Sequence, residues 1–260
     1  VNCCGFDSIP PDIGVLYTVQ QLPEDVPLII EGFVRANGSF SGGTWRSAIT
    51  GFGRMRELRE RRAAEQQPAT HQAPGDRSVY PLKQRLHYQR QLRGWGFPLP
   101  TIDAYIVRRS ARAIPRYGPS FGYAHYGLSR SLPKIIGGGL GLGALVVLAQ
   151  FGPTRNFLLD RVDSGDGPSA EKRAKSWFEL TFVGRSKNGT SSVITKVSGG
   201  DPGYGETAKM ASESALCLAF DRDKLPDAAG ILTPAVAMGN ALLERLQTAG
   251  IRFEVVERST

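Results

Sequence analysis

The residues best placed to do chemistry stand at the start of the chain. Gly5-Phe6-Asp7-Ser8 follows a short apolar stretch and precedes Ile9-Pro10-Pro11-Asp12-Ile13-Gly14. An apolar run closed by Gly suits a buried strand, and Pro at a helix start forfeits no useful hydrogen bond. A strand that turns through Gly into a helix N-terminus is where α/β proteins commonly hold ligands. Asp7 and Ser8 offer hydrogen-bonding groups there; the plainer alternative is that they cap the helix. Ser41-Gly42-Gly43-Thr44 is a second such place, because its backbone N–H groups lead a helix starting at Trp45 and suit a phosphate or carboxylate. It reads equally as a structural turn with Thr44 as cap. A third Gly-rich turn, Gly199 to Gly205 (GGDPGYG), precedes a helix from Thr207 to Leu218. His71, His87 and His125, with Cys3, Cys4 and Cys217, show no ligand spacing, so no metal is expected. Adjacent Cys3 and Cys4 do not make a disulfide framework, which points to a reducing compartment.

The elements that must position these residues follow from periodicity. Ile13, Val15, Leu16 and Val19 make one amphipathic helix, ended by Pro23 to Pro27. Leu28 to Val34 reads as a strand, and Trp45 to about Glu65 as a long helix. Gln66 to Gly75 is polar and aperiodic, a loop. Ile102 to Ala113 is expected to be helical and Phe121 to Tyr126 a strand. Trp177 to Gly184 alternates as a strand does, and Lys187-Asn188-Gly189-Thr190 signals a hairpin before Ser192 to Val197. Thr233 as N-cap and Pro234 in the first turn start a helix to about Thr248, and Ile251 to Val256 closes the sequence as a strand. Ile135 to Phe151 holds no charge. Two readings stand: a buried helix packed closely through its glycines, or a segment that faces lipid, with Lys134 and Arg155 reaching to an interface.

The 260 residues carry a net charge of +8, and much of the excess lies between Arg54 and Arg116. The run Arg54, Arg56, Arg59, Arg61, Arg62 is interrupted by Glu57, Glu60 and Glu65 at helical spacing, as on a solvated helix face. No nucleic-acid reading motif accompanies it, so nucleic acid is not an expected partner. A phosphate-bearing ligand or an anionic membrane surface fits the same charge.

Five stretches taken in order, CGFDSIPPDIGV, SGGTWRS, GYAHYG with its Gly-rich apolar sequel, GDPGYGETAKMASESALCLA and GILTPAVAMGNALLERL, resemble saccharopine dehydrogenase-like oxidoreductases, with the trans-acting enoyl reductase branch the nearer match. Members of that family begin with a Rossmann domain bearing a GxGxxG fingerprint. Here neither GGGLGLG nor GGDPGYG replaces it, the first lacking a preceding strand and the second its acidic partner. The resemblance thus implies a C-terminal part of such an enzyme, of mixed α+β and α/β character, with a mixed or antiparallel sheet and flanking helices. It implies residues 1–27 as the remnant of a dinucleotide-binding domain, 28–230 as a substrate domain and 231–260 as a closing helix and strand. NADP or NAD is the implied cofactor, held mainly outside this sequence, so that these residues alone bind it poorly and are inactive. Gly5, Phe6, Asp7 and Ser8 would face the nicotinamide, and Ser41, Gly42, Gly43 and Thr44 the substrate. A proton for enoyl or imine reduction would come from Tyr126, His125 or Tyr204. Apolar, Gly-rich surroundings favour a lipid-like or carrier-bound acyl substrate over a dicarboxylic amino acid. The expected setting is cytoplasmic, at most peripheral to the inner face of the plasma membrane, with a homodimer possible. The rival expectation is a catalytically silent, membrane- or lipid-associated homologue of the same fold.

Overall fold

The structure is a computed structural model, and it describes residues 1–38, 42–54, 57, 77–99, 101–161 and 167–259. Eight strands form one mixed sheet: β1 (Leu28–Asn37), β2 (Ser78–Pro81), β3 (His87–Gln89), β4 (Gly94–Pro98), β5 (Ser120–Ser129), β6 (Trp177–Ser186), β7 (Ser192–Gly199) and β8 (Arg252–Ser259). Their order is β3-β4-β5-β1-β6-β7-β8, with β2 beside the first half of β5. Only β1 with β5 and β2 with β5 run parallel; the remaining pairs are antiparallel. This is the mixed sheet that the motifs imply. The Asn188–Gly189 hairpin is present: Gly189 takes a positive φ of 76°, and Asn188 Oδ1 accepts from the Thr190 N–H at 3.3 Å.

The strands alternate, so each sheet face collects a different set of side chains. One face presents Leu28, Ile30, Tyr123, Phe178, Leu180, Phe182, Val193 and Val197 to helix α1 (Ile9–Val19), and these residues make the main core. Helix and sheet approach closely because Gly14 offers no Cβ: one built there would fall 2.5 Å from the Phe182 ring. Helices α3 (Asp103–Ala113), α8 (Pro234–Ala237) and α9 (Gly239–Thr248) flank α1, and α7 (Gly205–Phe220) packs on α9. The opposite face buries Phe33, Ala124, Tyr126, Val183 and Ile194. Charged pairs border that smaller core: Arg185–Glu31 at 3.6 Å, Arg35–Glu179 at 3.8 Å and Lys196–Glu254 at 3.0 Å.

Helix α2 (Gly42–Gly53) packs on α4 (Leu132–Gln150) and α5 (Gly152–Leu159), and α6 (Ala170–Ala174) precedes β6. Trp45 Nε1 donates to the Leu158 carbonyl at 2.7 Å, and Gln150 to the Phe52 carbonyl. The expected continuation of α2 to Glu65 and the loop 66–75 lie outside the described residues, as does most of the arginine run.

Three local expectations are corrected. Ser8 stands at the N-cap of α1, but its side chain makes no capping bond; the helix starts instead through the Ile9 N–H donating to the Gly5 carbonyl at 2.9 Å. Thr233 likewise does not cap with its side chain, because its hydroxyl pairs with Ser110 Oγ at 2.6 Å. The helix expected from Pro234 to Thr248 divides into α8 and α9 at Met238–Gly239, where Gly239 takes a φ of 47°. A larger correction concerns 135–151. That run is a helix, yet residues 136–144 are exposed throughout, so the buried-helix reading fails. Glycines 137, 138, 139, 141 and 143 were expected to admit a close neighbour, but a Cβ on any of them would meet nothing within 4 Å.

Candidate functional site

Helix α1 runs against the direction of β1, which brings the Gly5–Ser8 turn to the carboxyl end of the parallel pair. Phe6 packs edge-on against Phe178 with ring centroids 4.9 Å apart, and Phe178 pairs with Ala36 at the end of β1. The Phe6 N–H donates to Thr207 Oγ1 at 2.9 Å, so the first turn of α7 holds the loop in place. Gly5 leans on the same hydroxyl, which would lie 3.4 Å from a Cβ there. Ser8 is buried and Asp7 exposed. Crevices at strand carboxyl ends are the usual ligand sites of open α/β sheets.

Below this turn lies a buried chain of titratable groups. His125 and Tyr123 stand two residues apart on β5 and therefore share the face turned to α1 and α3. Tyr123 Oη lies 2.9 Å from His125 Nδ1. His125 Nε2 lies 3.6 Å from Asp103 Oδ2 in the first turn of α3. Gly32 makes room for the chain, since a Cβ there would fall 2.6 Å from Tyr123 Oη.

Burial dominates the proton affinities. His125 is 2% exposed, and desolvation lowers its pKa to about 4, so it is neutral at pH 7. Asp103 is pushed up to about 6, first by burial and further by the Asp7 charge, while the Thr101 hydroxyl works the other way. Tyr123 is held well above its ordinary value by burial. A Tyr123 hydroxyl donating to Nδ1 leaves the single imidazole proton on Nε2, facing the carboxylate. Asp103 Oδ1 has no hydrogen-bond partner among the described residues. The Asp7 charge reaches Asp103 and so couples the Gly5–Ser8 turn to the Asp103–His125–Tyr123 chain.

Of the three proton donors proposed from sequence, only His125 belongs to this chain of groups. Tyr126 follows His125 on β5 and so points through the opposite face, stacked on Phe33 with centroids 5.2 Å apart and met edge-on by His87 at 4.9 Å. Tyr204 stands before α7, under the Arg173 guanidinium at 5.8 Å. Asp201 fills the Gly-rich turn ahead of it: its Oδ2 accepts from the N–H groups of Tyr204 and Gly205, both at 3.0 Å. Glu206 accepts from the Gly200 N–H at 3.1 Å. The donors a phosphate would use in this turn are thus already engaged. Gly42, Gly43 and Thr44 form the first turn of α2, beside α4 and α5, while Ser41 lies outside the described residues.

Sequence reasoning missed Asp103 and Tyr123. Tyr123 was open to discovery, because strand alternation puts it on the same side as His125. Asp103 was not, since only the fold brings it to β5.

A second buried carboxylate ties the helices together. Asp12 Oδ1 accepts from Ser110 Oγ at 2.5 Å, and Oδ2 from the Ala235 N–H at 2.8 Å. Desolvation raises Asp12 to about 7 despite both bonds. It joins α1 to α3 and α8, behind the turn.

No family model matches the chain. Among curated proteins it is 31% identical over 286 residues to a Mycobacterium tuberculosis protein provisionally named a trans-acting enoyl reductase, covering 98% of this chain and 66% of that protein. It is 30% identical over 287 residues to the Homo sapiens saccharopine dehydrogenase-like oxidoreductase, covering 100% of this chain and 65% of that one. An Arabidopsis thaliana relative, 26% identical over 310 residues, bears a mitochondrial name. The chain therefore spans just under two thirds of the length of these relatives.

Proposed function

The chain belongs to the saccharopine dehydrogenase-like oxidoreductases, and from that premise we propose that it takes part in nicotinamide-dependent reduction of the carbon–carbon double bond of a lipid-like or carrier-bound enoyl thioester. The observation that carries this reading is the buried Asp103–His125–Tyr123 chain at the middle of β5, whose Asp103 feels the charge of Asp7 in the Gly5–Ser8 turn.

NADP or NAD, bound mainly by residues beyond this sequence, would supply the hydride. The local fit is good. Phe6 offers an apolar wall, Gly5 permits close approach, and Asp103 Oδ1, a buried acceptor without a partner among the described residues, suits a carboxamide N–H or a proton. Reduction adds a hydride to one carbon and a proton to the other, and the chain's own task is the proton. Asp103 suits it better than His125. A carboxyl with a pKa of about 6 carries a proton near working pH, whereas His125 stays neutral and orients the carboxylate. Tyr123 fixes the tautomer of His125 and so acts as a positioning residue. Tyr126 and Tyr204 take no part in this scheme. The substrate class follows the apolar surroundings and the name of the mycobacterial relative. Gly42 to Thr44 are kept as substrate-contacting candidates only for an acyl chain long enough to reach the α2 lobe.

The complete protein tests this reading. Reduced NADP and NAD should each be titrated by nicotinamide fluorescence, and enoyl-CoA and saccharopine supplied in turn. Enoyl-dependent cofactor oxidation is the expected result. Cofactor binding without enoyl turnover, or turnover of saccharopine alone, contradicts it. No fluorescence change with either cofactor would favour the silent homologue.

A further inference from the structure

Helix α4 has the composition of a core helix without the surroundings of one. Its apolar residues point in every direction, and Ala149 is its only buried residue. Ile136 is 54% exposed, Leu140 72% and Val147 59%. A helix apolar all round belongs in a protein interior or in lipid, and this one is not in a protein interior. Its 19 residues reach about 28 Å at 1.5 Å each, close to the roughly 30 Å of a bilayer's hydrocarbon. The elbow into α5 exposes Phe151 at 60%, and α5 exposes Phe157 at 57%; the Arg161 guanidinium covers the Phe157 ring at 4.4 Å.

The charges around this surface bear on what would cover it. No carboxylate lies between Asp103 and Asp160, while Arg130 and Lys134 precede the apolar run and Arg155 follows it. Aromatic rings and cations at the margins of an exposed apolar helix match an anionic lipid surface, with acyl chains for the helix and phosphates for the cations.

We propose that α4, with the α4–α5 elbow, enters the acyl layer of an anionic membrane and holds the protein there. The inference does not depend on the reductase reading. It goes beyond charge attraction in naming the inserted element.

Flotation of the full chain with vesicles of phosphatidylcholine and phosphatidylglycerol tests it. The parent is expected to float, and the double variant Leu140→Asp, Leu142→Asp to lose vesicle binding at least tenfold. Both sites are exposed, so the variant should keep its thermal transition, which a melting curve checks. Replacing Arg130 and Lys134 by Ala should weaken binding and remove its dependence on phosphatidylglycerol. A parent that stays unbound overturns the proposal, as does a double variant that floats equally well. A stable dimer dispersed by the same double variant, with no vesicle binding by the parent, would assign this face to a second copy and also overturn it.

Discussion

Substituting Asp12 by Asn should flatten one part of the dependence of stability on pH. In the folded protein the carboxyl is wholly buried and titrates at about 7; free in the unfolded chain its value is 3.8. Between these values the folded state binds more protons than the unfolded one, so stability is lost as pH rises through that interval. For those two values the loss is about 1.7 kcal/mol at pH 5 and about 4 kcal/mol at pH 8, a difference of about 3 kcal/mol. Asn preserves the geometry, accepting from the Ala235 N–H and donating to Ser110 Oγ, but does not titrate. The variant should therefore gain on the parent by about 3 kcal/mol between pH 5 and pH 8. Urea unfolding of both proteins at the two pH values measures this directly. The comparison cancels His125 and Asp103, which titrate in both. A constant difference between the proteins across the interval would refute the reasoning, since Asp12 would then not be a buried acid held near neutrality.

Gly32→Ala should destabilise by roughly 1–3 kcal/mol, because its Cβ would fall 2.6 Å from Tyr123 Oη and 3.2 Å from the Phe182 ring. Combining it with Tyr123→Phe should recover part of that loss in thermal unfolding, whereas strictly additive effects would deny the contact. Thr18 Oγ1 donates to the Gly14 carbonyl at 2.7 Å and meets Thr195 Oγ1 at 2.6 Å. Thr18→Val leaves a buried hydroxyl on Thr195 and should cost about 1–3 kcal/mol; the double Val variant should cost less than twice that in urea unfolding.

Much of the fold was legible because it rests on local rules. Alternation marked β6 and β7, Asn188–Gly189 marked the turn between them, and Pro10 and Pro11 marked the start of α1. Boundaries slipped where tertiary bonds overrode local ones. Thr233 was read as a cap from its type, yet Ser110 on a distant helix claims its hydroxyl. Glycines 137, 138, 139, 141 and 143 were read in part as admitting a close neighbour, a sound rule inside a core, and the rule failed because none of the described residues packs against them. The site was half visible: Gly5 to Ser8 and His125 stand out by motif, while Asp103 reaches His125 only once α3 is laid along β5. Nothing in the sequence could set Tyr126 apart from His125 until the face of each was known.

The central claim is that Asp103, which feels the Asp7 charge of the Gly5–Ser8 turn, holds and delivers the proton of a reduction. Its most direct test is the pH dependence of single-turnover enoyl reduction by the complete protein and its Asp103→Asn variant. The parent's rate should fall as pH rises through about 6, following loss of the Asp103 proton. The variant should be at least tenfold slower and lack that inflection, while binding reduced cofactor as tightly as the parent. A variant with the parent's rate and pH profile would contradict the account.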